Sequence, residues 1–116
     1  MCKQTGAGLK LADFGTAIEV QGTEFGWHGF CGTPSYLSPE ILNRQAYGKA
    51  VDMWACGIIV YVLLSGRLPF YSENQKELFE WIKNGKYDCS TPPWDTVSSA
   101  GKNLLGTIII LRHHFL

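Results

Sequence analysis

The chain lacks the charge imbalance and the long apolar run that would point to nucleic acid or to a membrane. Its ten basic and ten acidic residues give a formal net charge of zero, and neither sign gathers into a block. A protein that binds nucleic acid normally carries a basic face, so that class is excluded. The longest apolar stretch, residues 55–64, is too short to span a bilayer and predicts a buried helix instead.

Paired cysteines of the kind that bind zinc or carry redox chemistry are also absent. The four cysteines lie too far apart for CxxC spacing: Cys2, Cys31, Cys56 and Cys89. A chain that is 46% hydrophobic can build a core without disulfides, so we expect reduced thiols in a cytoplasmic protein. Cys56 stands in the apolar run and is predicted to be a small core residue.

What is present indicates a mainly α-helical chain of 116 residues, one domain or part of one. Residues 9–12 alternate apolar and polar side chains and predict a short strand, and residues 16–31 predict a long irregular loop. Helices are predicted over 51–65 and 73–84. The first is apolar on nearly every face, so we expect protein to surround it.

The predicted helices carry start and stop signals. Ser38 before Pro39 is typical of a helix N-terminus, and Ser98 is placed to cap a helix that runs through residues 104 and 105. Gly66 and Gly85 follow the two longer helical segments and predict their ends.

Three short motifs follow one another at a spacing that chance does not readily produce. Asp13-Phe14-Gly15 comes after the predicted strand, Ser38-Pro39-Glu40 follows, and Asp52-Met53-Trp54 opens the apolar helix. With Gly32-Thr33-Pro34 between the first two, the series resembles the activation segment and F helix of protein kinases. Residues 17–22, 51–57 and 87–95 are similar to calcium/calmodulin-dependent protein kinase II. Phosphorylase kinase and the membrane-associated guanylate kinases carry similar lobes.

The resemblance implies a partial kinase C-terminal lobe with a short strand before the activation segment. Its expected parts are the activation segment over 13–40, a helical lobe over 41–105 and an altered C-terminal helix over 106–116. Gly106 follows Leu105 where the family continues its H helix. We therefore expect that a short segment is missing at this junction.

Asp13 is the residue that the resemblance assigns to Mg²⁺, and through Mg²⁺ to ATP. Phe14 is expected to pack under it, and Gly15 to let the backbone rotate. The alternative for these three residues is an ordinary turn that ends a strand.

Thr33 is assigned by the resemblance to the wall that receives the substrate hydroxyl, and Tyr36 and Leu37 to the pocket for the residue after the acceptor. The structural assignments are Glu40 for a buried ion pair with a late Arg, Asp52 for hydrogen bonds to the catalytic loop, and Trp54 for core packing.

No catalytic residue is assigned, because the sequence contains neither G-x-G-x-x-G nor an H-R-D-x-x-x-x-N loop. We expect the 116 residues alone to have no kinase activity. Protein substrates, and calmodulin in a full-length parent, are implied by family. Two alternatives stay open, namely a truncated interaction module that uses residues 73–84 and an incomplete gene prediction.

Overall fold

The computed structural model describes residues 6–20 and 26–110 of the chain. In these ranges the fold is mainly α-helical, as the sequence predicts, and no helix is both long and apolar enough to cross a membrane. The α-helices are α1 (Pro39–Leu42), α2 (Ala50–Ser65), α3 (Gln75–Asn84) and α4 (Ser99–Ile110). Short 3₁₀ helices form at Pro34–Tyr36 and Trp94–Thr96.

One face of α2 forms the centre of the core. Trp54, Ile58 and Tyr61 recur at helical spacing and are each at most 2% exposed. Helix α4 packs against this face, where a Cβ atom added at Gly57 would lie 2.9 Å from Ile108 Cγ2. The glycine therefore lets the two helices approach closely.

The opposite face of α2 is exposed in the described structure, which overturns the expectation that protein surrounds this helix. Leu63 is 78% exposed and Met53 54%, and Cys56 lies on the surface rather than in the core. The physical reason is that the described neighbours of α2 pack on one side of it only. Hydrophobicity on every face predicted burial, but burial needs packing partners on every face.

Capping decides where the helices end. Gly66 and Gly85 both adopt left-handed backbone angles, with φ of 72° and 63°, and end α2 and α3 as predicted. Helix α3 begins at Gln75 because the Asn74 side chain accepts hydrogen bonds from the amides of Lys76 and Glu77. Ser38 stands at the N-cap of α1, but its side chain makes no capping hydrogen bond.

The short strand predicted before Asp13 is absent. Residues 9–12 have no regular structure, and Leu9 and Leu11 are 102% and 88% exposed. A strand needs a partner for its backbone groups, and the described ranges offer these residues none. Alternation of apolar and polar residues was therefore insufficient evidence for a strand here.

Helix α4 runs without a break through the junction at Gly106. Ser98 caps it as predicted, since its Oγ accepts a hydrogen bond from the amide of Gly101 at 3.2 Å. Leu105 and Ile109 are buried one turn apart. Their packing offsets the helix-weakening effect of glycine, which is about 1 kcal/mol per residue. Residues 106–110 thus continue α4, and residues 111–116 lie outside the described ranges.

Aromatic side chains attach the loop after α3 to the core. Tyr61 packs on Trp94, with ring centroids 4.7 Å apart, and Trp94 is fully buried. The Tyr61 hydroxyl donates to the carbonyl oxygen of Asp88 at 2.7 Å. This one tyrosine therefore connects α2 both to the loop and to the 3₁₀ helix that follows it.

The neighbouring residues Ile58 and Ile59 allow a matched test of this core. Ile58 is 0% exposed and Ile59 is 47% exposed in the same helix. We predict that Ile58→Ala lowers the free energy of unfolding by about 2–5 kcal/mol through lost burial and a cavity. Ile59→Ala, with the same change in helix propensity, should cost about 1 kcal/mol or less. Urea denaturation measures both, and equal losses would contradict the assigned core.

Candidate functional site: a groove beside the helix α2 N-terminus

A groove lies between the loop segments before α1 and the first turns of α2. Its volume is about 390 Å³. Polar groups and apolar walls both contribute to it, as in most binding sites. The side chains that line it include Trp27, Cys31, Thr33, Tyr36, Leu37, Tyr47 and Asp52.

An isolated antiparallel bridge joins two residues that line the groove. The Tyr47 amide donates to the Trp27 carbonyl at 3.1 Å, and the Trp27 amide donates to the Tyr47 carbonyl at 3.4 Å. Gly29 packs closely against both side chains. A Cβ atom added there would lie 2.9 Å from Trp27 Nε1 and 3.4 Å from the Tyr47 hydroxyl, so a larger residue would not fit without a shift. Trp27 and Tyr47 are site-forming residues that the sequence reasoning did not select. No local pattern selects this pair, because the bridge joins residues that are far apart along the chain.

A tight turn presents the groove residues that follow the loop. Thr33 precedes the 3₁₀ helix, and its carbonyl accepts from the Tyr36 amide at 3.0 Å. Leu37 is 4% exposed and anchors the turn in the core, whereas Thr33 is exposed. Gly32 has a φ of 125°, and a Cβ atom added there would lie 3.0 Å from Leu37 Cδ2, so a larger residue would be strained. The buried leucine thus fixes the position at which the threonine hydroxyl reaches the groove.

The three residues assigned structural roles occupy different places. Asp52 lies exposed in the first turn of α2 and lines the groove, where a carboxylate is favoured by the helix dipole. Glu40 lies partly buried in the first turn of α1, where it interacts with its surroundings. Trp54 is 1% exposed and stacks on Phe70 at 6.1 Å, away from the groove.

The Asp13-Phe14-Gly15 segment lies outside the groove lining. The Phe14 carbonyl accepts from the Ala17 amide at 3.1 Å, which forms a turn, and Asp13 has a φ of 63°. A left-handed non-glycine residue is uncommon, although Asp adopts this conformation more readily than most. Phe14 is 67% exposed, so it does not pack into the core that the structure describes.

Burial and a thiol shape the electrostatics of the groove. Tyr47 is 6% exposed, and desolvation raises the pKa of its hydroxyl. The neighbouring Cys31 thiol raises the pKa further, while a hydrogen bond involving Trp27 lowers it. Tyr47 is therefore a neutral hydroxyl near pH 7.

Metal-binding capacity is limited in the described ranges. They contain no group of three or more His, Cys, Asp or Glu side chains placed to hold a metal. A single exposed carboxylate such as that of Asp13 matches the way Mg²⁺ is usually bound, with one or two carboxylates beside water and substrate phosphates.

Sequence comparison with known proteins identifies the family. A sequence model of the protein kinase domain matches residues 1–114. The chain belongs to the protein kinase family. It is 54% identical over 110 residues to the calcium/calmodulin-dependent protein kinase type II subunit delta of Oryctolagus cuniculus, which covers 95% of this chain. The chain spans 21% of the length of that relative.

In this kinase-family chain, the structure brings together four of the nine predicted site residues. Thr33, Tyr36, Leu37 and Asp52 line one groove. The remaining five lie outside its lining: Asp13, Phe14, Gly15, Glu40 and Trp54.

The buried hydroxyl of Tyr47 gives a pH-dependent prediction. Burial raises the pKa of Tyr47 in the folded state above the unfolded value near 10. The neutral hydroxyl therefore contributes stability below about pH 10. This stability is lost as the pH rises through the folded-state pKa. Tyr47→Phe cannot ionise. We therefore expect the variant to lose less unfolding free energy than the wild type between about pH 8 and about pH 11. Urea denaturation at the two pH values measures this, and parallel losses in both proteins would refute it.

Proposed function

We propose that the groove is part of the protein-substrate face of a Ser/Thr protein kinase that transfers the γ-phosphoryl group of ATP. The main support for this proposal is that the exposed Thr33 and the buried Leu37 line one groove together with Tyr36 and Asp52. Such a groove has a polar wall for a hydroxyl and an apolar floor for a neighbouring side chain. The kinase family and the 54% identical relative support the reaction class.

For the parts of the proposed kinase lobe we keep the boundaries that the sequence predicts. Residues 13–40 are the activation segment, residues 41–105 the helical lobe and residues 106–116 the altered C-terminal segment. In this scheme Thr33 and Tyr36 position the acceptor segment of a protein substrate, and Leu37 keeps their turn fixed to the core. Asp52 adds a negative charge at the groove, and Trp54 holds α2 in the core, away from the groove.

Asp13 is the proposed ligand for Mg²⁺. Its carboxylate is exposed and therefore free to take part in a metal site that includes the phosphates of ATP. When bound, Mg²⁺ supplies charge neutralisation on the phosphates during transfer. The turn between Phe14 and Ala17 sets the direction in which the Asp13 carboxylate is presented.

Regulation and location are proposed for the whole kinase. The relative is named as calcium/calmodulin-dependent, and we extend calmodulin dependence to a full-length parent of this chain. The described cysteines, Cys31, Cys56 and Cys89, are all free thiols. Free thiols suit a reducing compartment, so a cytoplasmic location is proposed.

A non-catalytic interaction module is the second candidate. In its favour, Trp81 on α3 is 44% exposed. Against it, Leu78 and Ile82 of the same helix are buried in the core and offer no apolar face to a partner. The groove could still bind a peptide without chemistry, and the activity tests below separate the two candidates.

The first test is a chimera. Residues 13–105 replace the matching segment of the rabbit delta subunit, which supplies the remaining kinase elements. We expect the chimera to phosphorylate a peptide substrate, and Asp13→Asn in it to lower kcat by at least about 100-fold because the metal loses a charged ligand. Asp95→Asn, an exposed carboxylate outside the groove lining, is the matched control and should leave kcat unchanged. An active Asp13→Asn chimera would refute the metal role.

The second test is an assay of the 116 residues alone. We expect no phosphate transfer to the peptide above a buffer blank, because the sequence contains no Gly-rich phosphate loop and no H-R-D-type loop. Radiolabelled ATP with Mg²⁺ gives the measurement. Reproducible incorporation that depends on Thr33 or Asp13 would overturn the expected inactivity.

A further inference from the structure

The loop between α3 and the 3₁₀ helix at Trp94–Thr96 contains a hydrogen-bonded cluster that the kinase groove does not use. The Asp88 carboxylate accepts from the Ser90 amide at 2.7 Å, from the Ser90 hydroxyl at 2.6 Å and from the Thr91 hydroxyl. These bonds lower the pKa of Asp88, with the Ser90 side chain as the largest cause. The carboxylate therefore carries its negative charge at neutral pH.

Arg67, just after α2, binds the same cluster through its guanidinium group. Its Nη2 donates to Thr91 Oγ1 at 2.8 Å and to the Pro92 carbonyl at 3.2 Å. The same atom lies 3.7 Å from Asp88 Oδ2. The Thr91 hydroxyl thus lies between a cation and an anion, donating to Asp88 and accepting from Arg67.

Thr91 is also one of three hydroxyl residues in the chain that are followed directly by proline, together with Thr33 and Ser38. A Ser or Thr before proline is the acceptor pattern of proline-directed kinases. Ser38 is 1% exposed, which removes it from reach in the folded chain, and Thr33 lies in the groove already described. Thr91 is exposed in a segment without helix or strand, where a modifying enzyme can reach it.

We propose that Thr91 is a phosphorylation site for a proline-directed Ser/Thr kinase and that the phosphate releases this loop from the Asp88 cluster. In the modification, Thr91 Oγ1 forms a bond to the γ-phosphorus of ATP as the bond from that phosphorus to the ADP oxygen breaks. The hydroxyl proton passes to a base of the modifying kinase. The product carries close to two negative charges at neutral pH.

Charge decides the consequence of the modification. The phosphate is a stronger partner for the Arg67 guanidinium than the hydroxyl was, because the pair is charge-assisted and bidentate geometry is available. The same phosphate repels the Asp88 carboxylate at what had been hydrogen-bond distance. Since Tyr61 donates to the Asp88 carbonyl, movement of Asp88 weakens the contact that connects the loop to α2.

The test uses the monomeric fraction of the complete chain in a Thr33→Ala background, which leaves Thr91 and Ser38 as the proline-followed hydroxyls. Thr33 makes no side-chain capping bond, so this change should not disturb its turn. A proline-directed kinase of the mitogen-activated class is added with ATP and Mg²⁺, and sites are mapped by mass spectrometry. We expect near-stoichiometric phosphate on Thr91, none on Ser38, and loss of the signal in Thr91→Ala.

A synthetic peptide of residues 86–97 tests whether the same kinase phosphorylates the sequence around Thr91 outside the fold. If the peptide is not phosphorylated, the sequence around Thr91 is not an acceptor and the proposal is wrong. If the peptide is phosphorylated but the folded chain is not, Thr91 is inaccessible in the fold and the proposal is also wrong. For the modified chain, we expect the unfolding midpoint temperature to fall by about 4–8 °C. An unchanged or higher midpoint would overturn the release of the loop.

Discussion

Burial of one face of α2 is the constraint on which the rest of the described structure depends. Trp54, Ile58 and Tyr61 lie on that face and belong to the buried core. Trp54 stacks on Phe70, and Tyr61 packs on Trp94. The groove is built on the first turns of the same helix, so its geometry depends on how firmly this face is packed.

The exposed face of α2 shows how a helix can carry more hydrophobic surface than its described neighbours cover. Leu63 and Met53 are more than half exposed, on a helix that is apolar on nearly every face. Exposed apolar patches of this kind mark surfaces that associate with other protein.

Long-range contacts, rather than local motifs, assemble the groove. The bridge between Trp27 and Tyr47 joins residues that are far apart along the chain, and it places the loop over the start of α2. Thr33 and Asp52 come from separate elements and meet at the same groove. By contrast, Asp13 precedes a turn outside the groove lining, although it belongs to one of the three motifs.

The sequence by itself determined the helical class, the glycine stops at Gly66 and Gly85, and the kinase resemblance, because capping and motif spacing are local properties. Only the tertiary structure decided that Cys56 is exposed and that residues 9–12 form no strand, because burial and strand pairing need partners from elsewhere in the chain. The same reason explains Trp27 and Tyr47, whose importance arises from a contact that no local pattern encodes.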